Sequence, residues 1–311
     1  MTDFDLLVVG DCNPDLVMLG EDVEPVFGQV ERVLDRGELV VGGSGSITAC
    51  GAARLGLRTA FVGTVGDDAF GRFMLAALTD RGVDVSGCVV DRDRPTGVSV
   101  LLLRPDGADR AILTAPGTTA SLTAEDVPVD LVAVSRHVHV SSYFLQTSLR
   151  PGLASLIDLV RSRGATMSID PNWDPADAWN GGLHDLIPLC SVFLPNDAEA
   201  TRITGLEVSE AVRALSDAGP VVAVKCGRSG ALVEAGGEIV SVPAPAVEAT
   251  DTTGAGDSFD AGFLTGFLAG WDPVRSTALA CACGALSTRA LGGTGAQPNL
   301  EEALMAVEAS A

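Results

Sequence analysis

Short apolar segments that predict buried strands alternate with segments of helical periodicity along most of this chain. The predicted strands cover residues 5–10, 59–63, 137–141, 166–170, 191–194 and 221–224. The predicted helices cover residues 70–81, 150–163, 197–204, 209–218, 258–269 and 273–289. Alternation of this kind favours an α/β fold, in which a mostly parallel sheet is covered by helices on both faces.

Two segments interrupt the alternation. Residues 16–41 combine acids with isolated apolar residues, and residues 95–116 have the pattern of a hairpin that turns at Pro105-Asp-Gly107. We expect them to form a small β-layer outside the main sheet, a candidate lid inserted into one α/β domain that spans residues 1–311.

The charge balance limits the class of partner. The chain has 41 acids against 20 bases, a formal net charge of −21, so its field repels polyanions and makes nucleic acids and anionic lipids poor partners. No apolar run reaches the ~18 residues that a membrane span needs. The first residues are acidic where a secretory signal would be basic, which favours a cytoplasmic protein.

A single lysine restricts the nucleotide chemistry. Lys225 lies between Val224 and Cys226, so the Gly-Lys-Ser/Thr sequence of a P-loop is absent. The Gly43-x-Gly45 cluster is a poor dinucleotide fingerprint, because Thr48 stands where the third glycine belongs.

The segment Asp251-Thr-Thr-Gly-Ala-Gly-Asp257-Ser-Phe-Asp-Ala-Gly-Phe-Leu264 carries the densest chemical pattern. A tight turn followed by a helix that begins near Ser258 would aim free N–H groups at a phosphate. Asp257 could then accept a proton from an alcohol while the N–H groups of Gly254, Ala255 and Gly256 stabilise a transferring phosphoryl group. The plainer alternative is a glycine-rich turn with Asp257 as the helix N-cap.

This segment closely resembles the C-terminal signature of the ribokinase-like (PfkB) family of carbohydrate kinases. Further motifs of that family recur in order: the first strand end at residues 9–15, the N-terminal signature at 42–56, an Asn-x-x-Glu motif at 196–199 and a nucleotide-binding strand end at 225–230. The resemblance implies a three-layer α/β/α Rossmann-like fold with a small β-sheet lid, and transfer of the ATP γ-phosphate to a hydroxyl of a small neutral sugar or polyol.

The resemblance also implies roles for individual residues. Asp257 would be the general base, with residues 254–257 as the anion hole. The acceptor would be bound by Asn13, Asp15, Gly42, Gly43 and Ile47. The ATP site would contain Asn196, Glu199, Lys225, Gly227, Gly230, Gly254 and Gly256. Asn196 and Glu199 would hold Mg²⁺ through water, whereas Asp251 and Thr253, near Gly292, would hold a monovalent cation such as K⁺. A homodimer through the lid is a further implication.

Three features of the sequence bear on the identity of the acceptor, two of them differences from the family motifs. Ile47 stands where the family usually has an asparagine, and it cannot satisfy a buried hydroxyl. Asp174, in the run Asp170-Pro-Asn-Trp-Asp174, replaces the arginine of the similar fructokinase and 2-keto-3-deoxygluconate kinase motif. The first lid segment has six acids and two arginines, so a phosphosugar would be repelled unless Arg104 or Arg110 reaches the site.

Two alternatives stay open at this point. A nucleoside kinase would need apolar walls for the base, which Ile47 and Phe27 could supply. A sugar-binding regulator without turnover would have no use for both Asp257 and the glycine turn. His137 and His139 share one face of a predicted strand, and without a third ligand nearby we expect a structural role for them.

Overall fold

The computed structural model describes residues 3–104 and 110–310. Its main sheet has eight strands in the order β14-β13-β12-β11-β10-β9-β1-β4. The strands are β1 (Phe4–Val9), β4 (Thr59–Val62), β9 (Ser135–Val140), β10 (Thr166–Ile169), β11 (Val192–Phe193), β12 (Val221–Lys225), β13 (Ala231–Ala235) and β14 (Glu238–Val242). All pairs from β4 to β12 are parallel, and β13 and β14 extend one edge as an antiparallel hairpin.

Helices cover both faces of this sheet. The helices are α1 (Ser44–Arg54), α2 (Ala69–Asp80), α3 (Val129–Ala133), α4 (Leu153–Ser162), α5 (Leu183–Leu186), α6 (Asp197–Thr204), α7 (Val208–Asp217), α8 (Ala255–Leu268), α9 (Pro273–Ser287) and α10 (Leu300–Ser310). Alternate residues of β1 point to opposite faces: Leu7 packs in one core cluster with α4 and α7, whereas Leu6 packs in the other with α1, α8 and α9. The three-layer α/β/α prediction is confirmed.

A second sheet lies outside the main one. It has the order β3-β2-β7-β8, with strands β2 (Asn13–Leu19), β3 (Arg36–Gly42), β7 (Val98–Leu103) and β8 (Arg110–Ala115). Its strands come from the two stretches that interrupted the alternation, although β2 begins three residues before the predicted segment. The expected turn at residues 105–107 lies outside the described residues. A short parallel pair, β5 (Thr64–Gly66) and β6 (Val89–Asp91), lies apart from both sheets.

The start of α8 differs from the prediction. The helix begins at Ala255, three residues earlier than expected, because Gly254 adopts a left-handed φ of 72° and serves as its N-cap. Asp257 therefore lies within the first turn and is not the N-cap. Among the described residues, no helix combines the length and apolar character that crossing a membrane requires.

The carboxyl ends of the parallel strands place polar side chains at one edge. Asp11 follows β1, Asp170 follows β10, Asn196 follows β11 and Lys225 ends β12. In an open α/β sheet this edge is where ligands bind.

Candidate active site

Two cavities meet at the carboxyl edge of the sheet. The first, called the polar cavity here because many of its lining residues are polar, has a volume of about 660 Å³ and lies between the small sheet and the main sheet. The second, called the apolar cavity, has a mostly apolar lining and a volume of about 440 Å³. The residues that line both cavities are Lys225, Gly227, Thr252, Ala255 and Gly256. The start of α8 therefore separates two binding spaces.

Asp257 lies in the first turn of α8 and lines the polar cavity. Its carboxylate accepts a hydrogen bond from the Ser44 hydroxyl at the start of α1. Burial raises the pKa of Asp257 to about 7, and the Ser44 hydrogen bond opposes that rise. A carboxyl with this pKa can take up a proton near neutral pH.

The turn before α8 has the shape of an anion site. A Cβ on Gly254 would lie 2.6 Å from Gly293 Cα, so that a side chain is excluded as well as disfavoured by the positive φ. The first turn of a helix leaves N–H groups without intrahelical acceptors. The Ala255 N–H also donates to Thr252 O at 3.3 Å, so of the three predicted anion-hole residues this one has an acceptor inside the turn.

Lys225 occupies the junction of the cavities and is held by two carboxyl groups. Its Nζ lies 2.5 Å from Asp170 Oδ2 and 3.0 Å from Asp260 Oδ1. The same ammonium group lies 3.7 Å from the position that a Cβ on Gly256 would take. Despite the burial of the lysine, these carboxyl groups hold the pKa of Lys225 above its usual range, so it is a cation beside the anion site.

At the far end of the polar cavity, β2 and α1 present the predicted acceptor residues. Asn13, Asp15, Gly43 and Ile47 line the cavity. Asn13 Nδ2 donates to Asp15 Oδ1 at 3.3 Å. The Ile47 side chain is 2 % exposed.

Gly42 and Gly43 have different surroundings. A Cβ on Gly43, whose φ is 78°, would meet Asp11 O at 2.9 Å. A Cβ on Gly42 would overlap the Asp15 carboxyl group. Gly42 thus makes room for Asp15 and does not itself line the cavity, which differs from the direct contact that we expected.

Asn196 and Glu199 form a capping box at the start of α6. Asn196 Oδ1 accepts from the Glu199 N–H at 2.8 Å, and Glu199 Oε2 accepts from the Asn196 N–H at 2.8 Å. Both residues also line the polar cavity. Burial, together with the nearby Asp170, raises the pKa of Glu199 to about 7.

The apolar cavity lies on the other side of the start of α8. Gly227 and Gly230 lie on its rim after β12. Arg228 lies between them and also lines this cavity. The remaining lining residues come from the loop after β14, from α8, and from α9 with its C-cap: Ala244, Pro245, Ala246, Val247, Ala249, Phe259, Cys281, Gly284, Ala285 and Thr288. Volume and lining suit a nucleobase with its sugar.

The predicted monovalent-cation residues lie beside the turn. Asp251 Oδ1 accepts from Thr253 N–H and Oγ1 at 2.9 and 2.7 Å, and Asp251 Oδ2 accepts from Gly292 N–H at 2.9 Å. The structure thus brings the Gly292 segment, 41 residues further along the chain, against Asp251 and the neighbouring Thr253.

Five other residues that the sequence singled out line neither cavity. Phe27 is fully exposed and forms no wall of the cavity. Arg104 pairs with Glu24 at 2.6 Å on the surface. Asp174 is buried and accepts N–H groups from its own loop, among them that of Trp179 at 2.7 Å, so it organises this loop. His137 and His139 are buried and share Ser168 Oγ, each at 2.7 Å.

Sequence reasoning missed three acidic residues at the site. Asp11 accepts from the N–H groups of Ser44 and Gly45 at 3.0 Å each, and Asp170 and Asp260 hold Lys225. Asp11 and Asp170 could have been found as acids that directly follow predicted strands. Asp260 stands inside the C-terminal signature but carries no local signal of its contact.

A three-layer α/β domain with a small sheet beside its carboxyl edge, and an acid at a helix start between two cavities, is the architecture of a ribokinase-like kinase. The family model described as pfkB family carbohydrate kinase matches residues 3–300, and the chain belongs to this family.

Three comparisons illustrate the similarity. The chain is 32% identical over 273 residues to a fructokinase of Klebsiella pneumoniae, covering 83% of this chain and 88% of that one. It is 29% identical to a nucleoside kinase of Methanothermobacter thermautotrophicus, covering 87% and 84% of the two chains. An Escherichia coli protein solved with ATP and Mg²⁺ superposes with a TM-score of 0.86 at 22% identity, over 98% and 99% of the two chains. This chain is therefore a phosphotransferase with an alcohol acceptor, a sugar or nucleoside kinase.

Proposed function

We propose that the protein transfers the γ-phosphate of ATP to a hydroxyl of a small neutral sugar or polyol. The observation that carries this proposal is the pair of cavities joined at the start of α8. The apolar cavity would take the adenosine part of ATP, and the polar cavity would take the acceptor. A phosphoryl group at their junction would lie beside the anion turn, Lys225 and Asp257.

Asp257 acts as the general base. Asp257 lines the polar cavity and not the apolar one, which supports a role in accepting the proton of an attacking hydroxyl. The N–H groups of residues 254–257 and the Lys225 ammonium stabilise the charge that develops on the transferring phosphoryl group. The role of the Ala255 N–H depends on releasing its contact with Thr252.

The charge of the polar cavity supports a neutral acceptor. Six of the described residues that line it are acids: Asp11, Asp15, Asp170, Asp197, Glu199 and Asp257. Lys225 is the one cation among the described lining residues, and two acids already hold it. For an anionic acceptor, repulsion by these acids would cost more binding free energy than attraction to Lys225 would contribute.

The capping box of α6 fits a magnesium ion held through water. The Asn196 and Glu199 oxygens line the cavity but already accept hydrogen bonds from one another's groups. Mg²⁺ keeps several waters and binds phosphates, so outer contacts with Asn196 and Glu199 suit it. When bound, it would offset the phosphate charge.

The small sheet has two proposed roles. Its strands β2, β7 and β8 contribute Asp15, Ser99 and Thr114 to the polar cavity, so we propose that it serves as a lid. On β8, Ile112 and Leu113 are 52 % and 58 % exposed at an edge of that sheet, which supports a homodimer formed through the lid. Light scattering that gave one subunit mass would refute the dimer.

A nucleoside acceptor is the second candidate. Four apolar side chains also line the polar cavity: Leu101 and Ile112 of the small sheet, Leu145 and Trp173. Trp173 is 48 % exposed and its ring could stack on a base. Phosphorylation of adenosine but not of free sugars would decide for this candidate.

The test is ADP release from ATP and Mg²⁺, with K⁺ present, across neutral sugars, polyols, sugar acids and nucleosides. One strong neutral acceptor supports the proposal. A sugar acid that proves to be the strong acceptor overturns it. Binding of ATP with no turnover across the panel would favour a sugar-binding regulator.

A further inference from the structure

Aromatic side chains are concentrated around the loop after β10, residues 171–182. Two of the three tryptophans of the chain, Trp173 and Trp179, lie in this loop. The only tyrosine, Tyr143, lies in the loop after β9 and donates a hydrogen bond to the Gly181 carbonyl at 2.6 Å. The polar residues proposed to bind the acceptor do not account for this concentration of rings.

The rings contact one another in series from the core to the polar cavity. Trp173 meets Trp179 at a centroid distance of 4.8 Å and an interplanar angle of 88°. Trp179 meets Phe144 at 5.6 Å and 77°, and Phe144 meets Tyr143 at 5.3 Å and 78°. Such edge-to-face contacts are favourable ring arrangements. The other three rings are buried, whereas Trp173 is 48 % exposed and lines the cavity.

Polar contacts hold the loop that carries Trp173. Trp179 Nε1 donates to Asp177 Oδ1 at 2.5 Å, and Asn172 Nδ2 donates to Ser142 Oγ of the loop after β9 at 2.9 Å. Left-handed φ angles of 54°, 50° and 53° occur at Asn172, Asp177 and Trp179. Residues other than glycine rarely adopt this conformation, and it persists only where surrounding contacts enforce it. The loop therefore holds Trp173 in place through its own contacts.

The indole of Trp173 offers a flat surface to a ligand. A perpendicular contact between two rings covers at most one face of either ring, so Trp179 leaves a face of Trp173 open. Three aliphatic side chains line the same cavity: Leu101, Ile112 and Leu145. A ligand with an apolar face displaces water from such surfaces favourably. A cyclic sugar has such a face, because its C–H groups can lie on one side of the ring while its hydroxyls point outwards. A polyol without a ring must first be ordered, which costs conformational entropy.

We propose that Trp173 is a specificity residue: its indole stacks on the C–H face of a cyclic neutral sugar, while Asn13 and Asp15 bind the hydroxyls of that sugar. The protein is then selective for the cyclic sugar over the open-chain polyol obtained by its reduction. Because the loop is already held by its own contacts, little conformational entropy is lost when the ring stacks. This inference rests on the proposed function and narrows its acceptor from a sugar or polyol to a cyclic sugar.

Substitution of Trp173 tests this selectivity with pairs of acceptors that differ in the ring. The pairs are ribose with ribitol and fructose with mannitol, and adenosine is a third arm. We expect Trp173→Ala to lower kcat/KM for the cyclic sugars by about 10-fold, and that for the polyols by less than about 2-fold. Trp173→Phe keeps an aromatic face and should retain most of the selectivity. Trp271→Phe is the matched control, because Trp271 lines neither cavity and packs against Arg275, whose guanidinium carbon lies 3.9 Å from its ring centroid.

Fluorescence gives a readout that does not require turnover. In Trp271→Phe the remaining tryptophans are Trp173, which is 48 % exposed, and Trp179, which is 5 % exposed. Acrylamide quenching in this variant therefore reports mainly on Trp173. We expect ribose or fructose to protect the emission from acrylamide, and ribitol or mannitol at the same concentration to protect it less.

Each outcome bears on one of the two proposals. A loss in Trp173→Ala that is confined to the cyclic sugars, together with protection by them, supports the stacking. Equal losses for a cyclic sugar and its polyol, or no loss at all, would overturn it. A loss confined to adenosine would also overturn it, since the indole would then stack on a base. Turnover of no acceptor by the wild type would contradict the proposed function. Protection of Trp173 by a cyclic sugar would in that case still support the stacking, and its absence would overturn both proposals.

Discussion

The Ser44 hydroxyl donates a hydrogen bond to the Asp257 carboxylate across a separation of 213 residues. Ser44 begins α1 in the N-terminal signature, and Asp257 lies in the first turn of α8 in the C-terminal one. The contact places the proposed base at the point where two helix starts face each other.

Replacing Asp257 with asparagine should lower kcat by about 10²-fold or more, because the amide keeps the shape but cannot accept a proton. ATP affinity should change little, which calorimetry measures. Asp217→Asn, an exposed position on α7, is the charge-matched control. Full activity of Asp257→Asn would show that the base lies elsewhere.

The rate should rise with pH through neutrality. Burial raises the pKa of Asp257 to about 7, and the base is active when ionised, so kcat/KM should increase between about pH 6 and pH 8. Ser44→Ala removes a hydrogen bond that favours the ionised form, so the rising limb should move to higher pH. The measurement is a pH profile of both proteins.

A second titratable group, Glu199, could produce the same rise of kcat/KM with pH. The pKa of Glu199 is also raised to about 7, mainly by burial. Glu199→Gln therefore serves as the comparison: the limb should persist in this variant. Its disappearance there, with an unchanged profile in Ser44→Ala, would assign the limb to Glu199.

Replacing Ile47 with asparagine should shift acceptor preference towards more hydroxylated sugars. Ile47 lines the polar cavity and offers no hydrogen bond, whereas an amide could satisfy a hydroxyl. Relative kcat/KM for ribose against the best acceptor measures the shift, and Ile47→Val is the apolar control. An unpaired buried amide would cost about 1–3 kcal/mol of stability, visible as a lower Tm. An unchanged acceptor ranking would mean that residue 47 does not face the acceptor.

Potassium should increase activity relative to a large organic cation. Asp251 and Thr253 lie with the Gly292 segment beside the anion turn, where a bound cation would steady the backbone that faces the phosphates. Assays in KCl and in tetramethylammonium chloride at equal ionic strength measure the effect. Asp251→Asn should reduce it. Equal rates in both salts would remove the cation from the proposal.

The positions of residues at the ends of strands could be predicted from the sequence, whereas those of residues inside loops could not. Asn196 and Lys225 stand in motifs that the sequence displays, and the carboxyl edge brings them together in any parallel α/β sheet. The role of Asp174 was not predictable, because its hydrogen bonds with its own loop depend on how that loop folds. The same holds for Phe27, whose full exposure follows from the path of the segment between β2 and β3.

The sequence by itself determined the strand and helix alternation, the glycine turn before Asp257 and the excess of acids, since these depend on local pattern and composition. Only the tertiary structure decided that α8 begins at Ala255 and that Asp170 and Asp260 hold Lys225. It also decided that the Asp15 carboxyl group lies where a side chain on residue 42 would be. The physical reason is that contacts between distant segments are fixed by strand register and helix packing, and neither is encoded in the spacing of one motif.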